Sequence, residues 1–224
     1  MELKTVAVFR APLPEKFGGP RQSGLAGSLR GTVVLEPEFR APEALRGLED
    51  FDYVWLIWGF HLNREKDAGS LTVRPPRLGG NERVGVFASR SPYRPNPLGL
   101  SSVRIESVDA EKGEIHVLGA DLADGTPIYD IKPYVAYADS HCGVRSGFVD
   151  GHEWEPLEVV LPRAFFPDFA PDEVDALFEI LAQDPRPQYQ DDPERIYGLL
   201  FAGRNVRFKV SDGTLTVVGV ELMN

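Results

Sequence analysis

Residues 53–60 have the sequence Tyr53-Val54-Trp55-Leu56-Ile57-Trp58-Gly59-Phe60, and this run is the strongest indication of the fold. It is continuously apolar and rich in aromatic and β-branched residues, which favours a strand covered on both faces. A membrane-spanning helix needs about 20 apolar residues. The longest apolar run, Val54 to Phe60, is much shorter, so the sequence predicts no membrane span.

Short strands separated by Gly and Pro clusters are predicted around this run. The turn Ala110-Glu111-Lys112-Gly113 is typical of a hairpin, and Pro42 to Leu48 suggests a short helical turn. No helical segment alternates with the strands, which disfavours a parallel doubly wound sheet and favours an antiparallel sheet or a closed barrel. The predicted strands are Leu3–Phe9, Gly31–Leu35, Tyr53–Phe60, Val84–Ala88, Ser101–Val108, Glu114–Leu118 and Ile128–Ile131.

The composition changes near Ser146, where a second unit is predicted to begin. Residues 171–183 carry apolar side chains at helical spacing, with Asp172 and Glu173 at the start, where the helix dipole favours acids. A hairpin is predicted from Asn205–Val210 and Leu215–Leu222, turned at residues 211–213. We therefore expect a mainly β protein, with a first domain over 1–145 and a small α+β domain over 146–224.

The composition limits the class of protein. The chain has 224 residues, a formal charge of −10, 42% hydrophobic and 10% aromatic residues, which is typical of a folded core and not of a disordered chain. The single cysteine, Cys142, excludes an internal disulfide and fits a reducing compartment. We expect a cytoplasmic protein.

Charge is distributed unevenly along the chain. Between Leu71 and Arg104 there are six arginines and one acid, a local charge of +5. Between Val149 and Glu194 there are thirteen acids and two arginines, a local charge of −11. An arginine-only island that contains Tyr93 suits phosphate binding and base stacking. A solvated surface loop with scattered ion pairs is an equally good interpretation of the charge alone.

Two further segments have a polar pattern. Prolines stiffen the arginine-bearing region from Pro76 to Pro97, which favours presentation of its arginines to a ligand, although prolines also simply end edge strands. In residues 121–134, Asp124-Gly125 predicts a turn, and Asp130 and Lys132 share one face of an extended segment. Asp130 and Lys132 could together orient a ligand. They could equally form a surface ion pair that contributes little to stability.

Metal and hydrolase chemistry have little support. His61 ends the apolar run, but the histidine and cysteine spacing matches no zinc pattern. The chain has neither a Gly-x-Ser-x-Gly elbow nor a glycine-rich phosphate loop ending in Lys-Ser/Thr. We expect no metal site.

Taken together, several motifs resemble the TsaA/YaeB-like family of tRNA N6-threonylcarbamoyladenosine methyltransferases, and the likeness covers nearly the whole chain. The resemblance implies an antiparallel β-barrel that works as a homodimer and uses S-adenosyl-L-methionine to methylate the modified adenosine next to the anticodon of tRNA. The motifs are Pro20-Arg21-Gln22, residues 74–80 and 85–99, Asp124-Gly125-Thr126-Pro127, residues 130–134, residues 181–189 and Asn205-Val206-Arg207-Phe208.

The resemblance also implies site residues. Arg90 and Asp130 are candidates for a catalytic role, with no general base assigned. The pocket for the methyl donor is expected to be lined by Gln22, Ser23, Gly24, His61, Leu62, Arg90, Leu100, Leu122, Asp124, Gly125 and Thr126. Contacts with the anticodon loop are expected from Arg74, Arg77, Tyr93, Arg94 and Lys132.

Two other functions remain open. A dimeric barrel that binds S-adenosylmethionine or RNA without catalysis would also need the arginine-rich loop. A metal-assisted hydrolase would use His61 and neighbouring carboxylates.

Overall fold

The computed structural model describes residues 2–15, 17–63, 71–75, 82–151, 155–187 and 192–223. Six strands form a closed barrel in the order β1-β2-β7-β6-β3-β8, and every neighbouring pair is antiparallel. The antiparallel barrel expected for the first part of the chain is confirmed. The barrel strands are β1 (Ala7–Arg10), β2 (Arg30–Leu35), β3 (Tyr53–Gly59), β6 (Leu98–Asp109), β7 (Glu114–Leu118) and β8 (Pro127–Pro133).

The apolar run forms β3 as predicted, at the centre of the sheet between β6 and β8. Val54, Leu56 and Trp58 point into the barrel and are at most 6% exposed, because alternate side chains of a strand face opposite sides. The outward row is only partly covered, since Tyr53 is 42% exposed. The expectation that β3 is covered on both faces is therefore met on the inner face alone.

The region of residues 84–88 differs from its prediction. Only Val84–Gly85 (β5) is a strand, paired with Thr72–Val73 (β4), and Val86–Ala88 forms a 3₁₀ turn. Val86 is buried at 1% exposure while Phe87 is 76% exposed. The chain thus leaves the extended conformation within the arginine-bearing loop, before Arg90. The predicted helical turn at residues 42–48 is present as 3₁₀ turns at Pro42–Leu45 and Leu48–Asp50.

The C-terminal part is α+β, as expected. A four-stranded sheet in the order β10-β11-β12-β9 packs against one amphipathic helix. The hairpin is confirmed, with Asp212 and Gly213 at positive φ in its turn. Strands β9 and β10 were not predicted. The elements are α1 (Ala136–Asp139), β9 (Glu158–Val160), α2 (Pro171–Ala182), β10 (Tyr197–Phe201), β11 (Arg204–Ser211) and β12 (Thr214–Leu222).

Two hydrophobic cores are present. One fills the barrel, and the other lies between α2 and the C-terminal sheet. Leu13, Ala26 and Leu29, from the connection between β1 and β2, belong to the second core. The N-terminal chain therefore contributes to the core of the C-terminal unit.

Within the described ranges, no helix is both long and apolar enough to cross a membrane.

Candidate active site

A cleft of about 1900 Å³ lies at one end of the barrel, where β3 ends and β6 begins. Its walls come from the β1–β2 connection, the arginine-bearing loop, the segment after β7 and residues 146–149. Trp58 and Phe60 form an aromatic wall, with ring centroids 4.4 Å apart in an edge-to-face arrangement. Gly99 permits this wall, because a Cβ at that position would lie 2.2 Å from the indole of Trp58.

Segments that are far apart in sequence meet in this cleft. Most of the residues expected in the donor pocket line it, whereas Gly24, Asp124 and Gly125 do not. The expected residues that line the cleft are Gln22, Ser23, His61, Leu62, Arg90, Leu100, Leu122 and Thr126.

Gln22 and Arg90 make direct contact across the cleft. The Arg90 guanidinium donates a hydrogen bond to the side-chain oxygen of Gln22, 68 residues away. The Gln22 amide nitrogen donates to the carbonyl of Arg21 at 2.6 Å, which orients the amide group. The pair joins the β1–β2 connection to the arginine-bearing loop.

The C-terminal unit holds the β1–β2 connection in place. Glu179 of α2 accepts hydrogen bonds from the backbone nitrogen and hydroxyl of Ser28, at 2.7 and 2.9 Å. Gln183 donates to the carbonyl of Leu25 at 3.3 Å, and Ala202 donates to that of Pro12 at 2.8 Å. Sequence analysis missed these contacts, which join residues more than 150 positions apart.

His61 lies against the turn at residues 122–126. Its Nδ1 is 3.4 Å from the hydroxyl of Thr126, which itself donates to the carbonyl of Ala123 at 2.7 Å. Since the Thr126 proton is used in that bond, Nδ1 is the donor to Thr126. A Cβ on Gly125 would lie 3.9 Å from Nε2. Gly125, at φ +75°, therefore brings backbone close to the imidazole.

The other expected donor-pocket residues support neighbouring backbone. Asp124 accepts from the backbone nitrogen of Ala11 at 3.1 Å and lies 3.6 Å from the guanidinium of Arg10. The backbone nitrogen of Gly24 donates to the carbonyl of Gly119 at 2.8 Å. These bonds hold the turn at 122–126 and the β1–β2 connection beside each other.

The arginine-bearing loop is held by its own short-range hydrogen bonds. The Ser89 hydroxyl donates to the carbonyl of Val86 at 2.9 Å, and Arg94 donates to the carbonyl of Ser89 at 3.1 Å. Asn63 donates to the carbonyl of Pro92 at 2.9 Å. Of the expected RNA contacts, Arg74, Tyr93 and Arg94 line the cleft, and Arg77 lies outside the described residues.

Asp130 and Lys132 are not among the cleft-lining residues and lie on the outer face of β8. Their side chains form an ion pair at 3.0 Å and are opposite Ile57 and Trp55 of β3. Leu100 lies beyond Ile57 on the same outer face, two strands from Asp130. At about 4.8 Å per strand, Asp130 is about 10 Å from the cleft residue Leu100.

Asp121 lines the cleft, although the sequence pattern of residues 121–134 predicted no role for it. The Ser101 hydroxyl donates to its carboxylate at 2.6 Å, and the indole nitrogen of Trp58 donates to the Ser101 oxygen at 3.0 Å. Burial raises the pKa of Asp121 above its ordinary value, although the Ser101 hydrogen bond and the charge of Arg90 act in the opposite direction.

The cleft is positively charged although the chain is acidic. Its described lining holds five arginines and two carboxylates, a charge of 5 − 2 = +3 with His61 neutral. The arginines are Arg21, Arg74, Arg83, Arg90 and Arg94. Such a surface is suited to a polyanion.

Among the residues that the structure describes, no cluster of three His, Cys, Asp or Glu side chains is arranged to hold a metal ion.

Comparison with known proteins shows two family matches. Residues 8–140 match the model of the tRNA-methyltransferase O N-terminal domain, and residues 169–223 match the TrmO C-terminal domain. A putative S-adenosylmethionine-dependent methyltransferase, RcsF, from Pseudomonas aeruginosa is 43% identical over 87% of this chain and 86% of its own. A tRNA (adenine(37)-N6)-methyltransferase from Escherichia coli is 37% identical over 98% and 97%. The crystal structure of TrmO from P. aeruginosa superposes with a TM-score of 0.80 at 32% identity, covering 99% and 97%.

Proposed function

This chain belongs to the tRNA-methyltransferase O family, and on that premise we propose that it methylates N6 of threonylcarbamoyladenosine beside the anticodon of tRNA, with S-adenosylmethionine as donor. The observation that carries the proposal is the shared cleft. Residues of the expected donor pocket, including Gln22 and His61, line the same cleft as Arg74, Tyr93 and Arg94. Donor and nucleic acid would thus meet in one place.

The cleft residues fit the chemistry of the donor. Arg90 and Gln22 offer a cation and an amide to a carboxylate. The aromatic wall of Trp58 and Phe60 suits a purine ring. S-adenosylmethionine supplies an electrophilic methyl group. Because attack on that group needs no covalent help from the protein, the main contribution of these residues is to position the reactants and exclude water.

The arginines fit an RNA loop. Single-stranded RNA is recognised through its phosphates and through unstacked bases that pack on aromatic or guanidinium planes. Arg74 and Arg94 supply cations, and Tyr93 and Phe87, which are 38% and 76% exposed, supply rings at the cleft. This combination favours an anticodon loop with a splayed base.

The deciding experiment is methyl transfer to tRNA. Purified protein is incubated with S-adenosylmethionine labelled on the methyl group and with tRNA from cells that either carry or lack the threonylcarbamoyl modification. We expect label only in the modified tRNA, at a single adenosine. Donor binding without transfer to either tRNA would overturn the proposal and favour a non-catalytic binding module.

We infer further that two copies associate, and that the enzyme works in the cytoplasm, where tRNA is modified. Strongly exposed apolar side chains support association, because such surfaces mark protein contacts. Tyr137 and Leu222, which do not line the cleft, are 93% and 74% exposed. Light scattering is expected to give twice the mass of one chain. The mass of a single chain at all concentrations would contradict the dimer.

A further inference from the structure

Methylation of N6 leaves one proton to be removed. The nitrogen of threonylcarbamoyladenosine is conjugated with the carbamoyl group and is weakly nucleophilic, so a nearby base assists the reaction. A base must come within hydrogen-bonding distance of the nitrogen, which restricts the candidates to the walls of the cleft. Among the described lining residues, the carboxylates are Glu15 and Asp121, and the imidazole is His61.

Asp121 differs from the other two in burial and in support. Glu15 and His61 are exposed, whereas Asp121 is largely covered. The indole of Trp58 can only donate, so the Ser101 oxygen is the acceptor of that hydrogen bond. The single Ser101 hydroxyl proton is then donated to Asp121. Ser101 is 2% exposed and Trp58 is 6% exposed, so this chain of bonds is shielded from water. The carboxylate is held in one orientation before any ligand arrives.

Asp121 also lies beside two residues of the expected donor pocket. Its carboxylate interacts with the backbone of Ser23 and with the charge of Arg90. Ser23 follows Gln22 in the chain, and Arg90 is the residue that contacts Gln22 across the cleft. The carboxylate is thus placed where donor and nucleophile would meet.

We propose that Asp121 is the proton acceptor of the methyl transfer, a catalytic residue, with Ser101 as the residue that positions it. The proposal rests on the proposed function. In this step the N6 lone pair bonds the methyl carbon as the carbon–sulfur bond breaks, the sulfur keeps that electron pair, and the N6 proton passes to the carboxylate of Asp121. The resulting carboxylic acid returns its proton to water through the cleft.

The electrostatic setting is consistent with this role. Burial raises the pKa of Asp121 and so makes the carboxylate a stronger base than a solvated aspartate, while the Ser101 bond and the charge of Arg90 act against that rise. Arg90 is the charged residue that acts on Asp121 within the described part of the chain. The other titratable or charged residues of the cleft lining are Glu15, Arg21, His61, Arg74, Arg83, Tyr93 and Arg94.

The first test uses Asp121→Asn, with Asp109→Asn as the matched control, since Asp109 pairs with Lys112 in the β6–β7 hairpin and does not line the cleft. We expect kcat of Asp121→Asn to fall by about 10²- to 10⁴-fold, with the Kd for S-adenosylmethionine within threefold of the unsubstituted protein. The acid limb of its pH–rate profile should disappear. In Ser101→Ala that limb should move to higher pH, because a bond that lowers the pKa of Asp121 is lost.

The second test needs no ligand. Because the folded-state pKa of Asp121 is raised, its ionisation opposes folding as pH rises through that value. Asp121→Asn keeps an acceptor for Ser101 without the charge, so its Tm should equal or exceed that of the unsubstituted protein at pH 7 to 8. The difference should vanish below about pH 4. A lower Tm at neutral pH would indicate a structural role instead.

Three results would overturn the proposal. The first is full activity of Asp121→Asn. The second is a pH–rate profile that loses its acid limb in His61→Gln but keeps it in Asp121→Asn. The third is loss of the acid limb in Asp130→Asn. If the unsubstituted protein transfers no methyl group, the proposed function fails. The ligand-free Tm comparison would still report whether Asp121 is a destabilising buried carboxylate.

Discussion

Arg90 is the residue at which two distant segments of the cleft are joined. Its guanidinium donates to Gln22, and its charge lowers the pKa of Asp121. The preceding residue, Ser89, is held by a bond to Val86, so Arg90 extends from an ordered turn. The side chain therefore acts on both Gln22, expected in the donor pocket, and Asp121, the proposed proton acceptor.

Substitution Arg90→Ala is expected to abolish turnover while leaving the fold intact. A hydrogen bond to a charged group contributes about 1.5–3 kcal/mol, so loss of that bond alone should lower the single-turnover rate by about 10- to 150-fold. Rapid-quench measurement of methyl transfer, with circular dichroism as the check on folding, tests this. Arg104→Ala is the control, because Arg104 is exposed on β6 and does not line the cleft. An unaltered rate in Arg90→Ala would remove it from the active site.

Single residues of the site differed in how well the sequence revealed them. The motifs of a known family indicated Gln22, His61 and Arg90, and these residues line one cleft. Asp121 was not singled out because its support is not local. Ser101 is 20 residues away from it, and Trp58 is 43 residues from Ser101. A hydrogen-bonded chain across three segments has no pattern in the sequence.

At the scale of elements, the short helix α1 is tied to the barrel by one carboxylate. Asp139 accepts from the backbone nitrogen of Val135 at 2.8 Å and from the indole nitrogen of Trp55 at 3.0 Å. These bonds hold the pKa of Asp139 below its ordinary value. Because the folded-state pKa is lowered, the stabilisation is complete above the ordinary value and is lost as pH falls through the lower folded value.

Acidification is therefore expected to release α1 from β3 at pH values below about 3.8. The fluorescence of Trp55 should change in that range as its partner becomes protonated. Tryptophan emission is measured as a function of pH in the unsubstituted protein and in Trp55→Phe. The difference between the two titrations gives the contribution of Trp55. Asp139→Asn should show no such transition. A change centred near pH 5 or above would contradict the assignment to Asp139.

Helix α2 acts on the cleft from outside it. Its Glu179 binds both the backbone and the hydroxyl of Ser28, in the same β1–β2 connection that carries Gln22. Leu13 and Leu29 of that connection are buried in the C-terminal core. The C-terminal unit therefore supports one wall of the cleft.

Glu179→Ala is expected to raise the KM for S-adenosylmethionine by about tenfold, since about 1.4 kcal/mol of positioning is lost. The kcat and the KM for tRNA should stay within twofold, because Glu179 does not line the cleft. Steady-state kinetics with each substrate varied separately tests this split. Glu179→Gln, which keeps an acceptor for Ser28, should recover part of the effect. Asp175→Asn, on an exposed position of the same helix, is the control.

Elements with a strong local pattern were predicted well. Strand β7 has the predicted bounds, and α2 ends one residue earlier than expected. Strand β5 is shorter than expected because Val86 turns inward and ends the extended conformation. Strand β9 was missed because three residues carry little pattern and its parallel partner, β12, lies more than 50 residues later.

For the whole molecule, the separation of charge is the feature that concerns RNA. A chain with a net charge of −10 has a cleft whose described lining carries +3. The acidic segment, residues 149–194, includes α2 and lies mainly in the C-terminal unit. The acidic surface repels the phosphates of tRNA, and the arginines attract them, so tRNA is expected to approach the arginine-lined end of the barrel.

Binding of tRNA is expected to weaken with salt to a limited degree. For single-stranded RNA, log K falls with log salt at a slope of about −0.7 per phosphate contact, so the five arginines of the described cleft lining contribute at most about −3.5. Arg74→Ala should reduce the steepness by about 0.7. Fluorescence anisotropy with an anticodon stem-loop at several salt concentrations measures the slope. Arg46→Ala, exposed and away from the cleft, should leave it unchanged.

The sequence by itself determined the secondary structure class, the apolar central strand and the arginine-rich loop, because periodicity, turn residues and charge act over a few neighbouring positions. Only the tertiary structure decided that the barrel closes between β1 and β8, that Asp130 is not among the cleft-lining residues and that Asp121 is one of them. It also decided that the C-terminal unit supports the β1–β2 connection. These features depend on contacts between residues tens to more than a hundred positions apart, which arise from packing of the whole chain and leave no local trace.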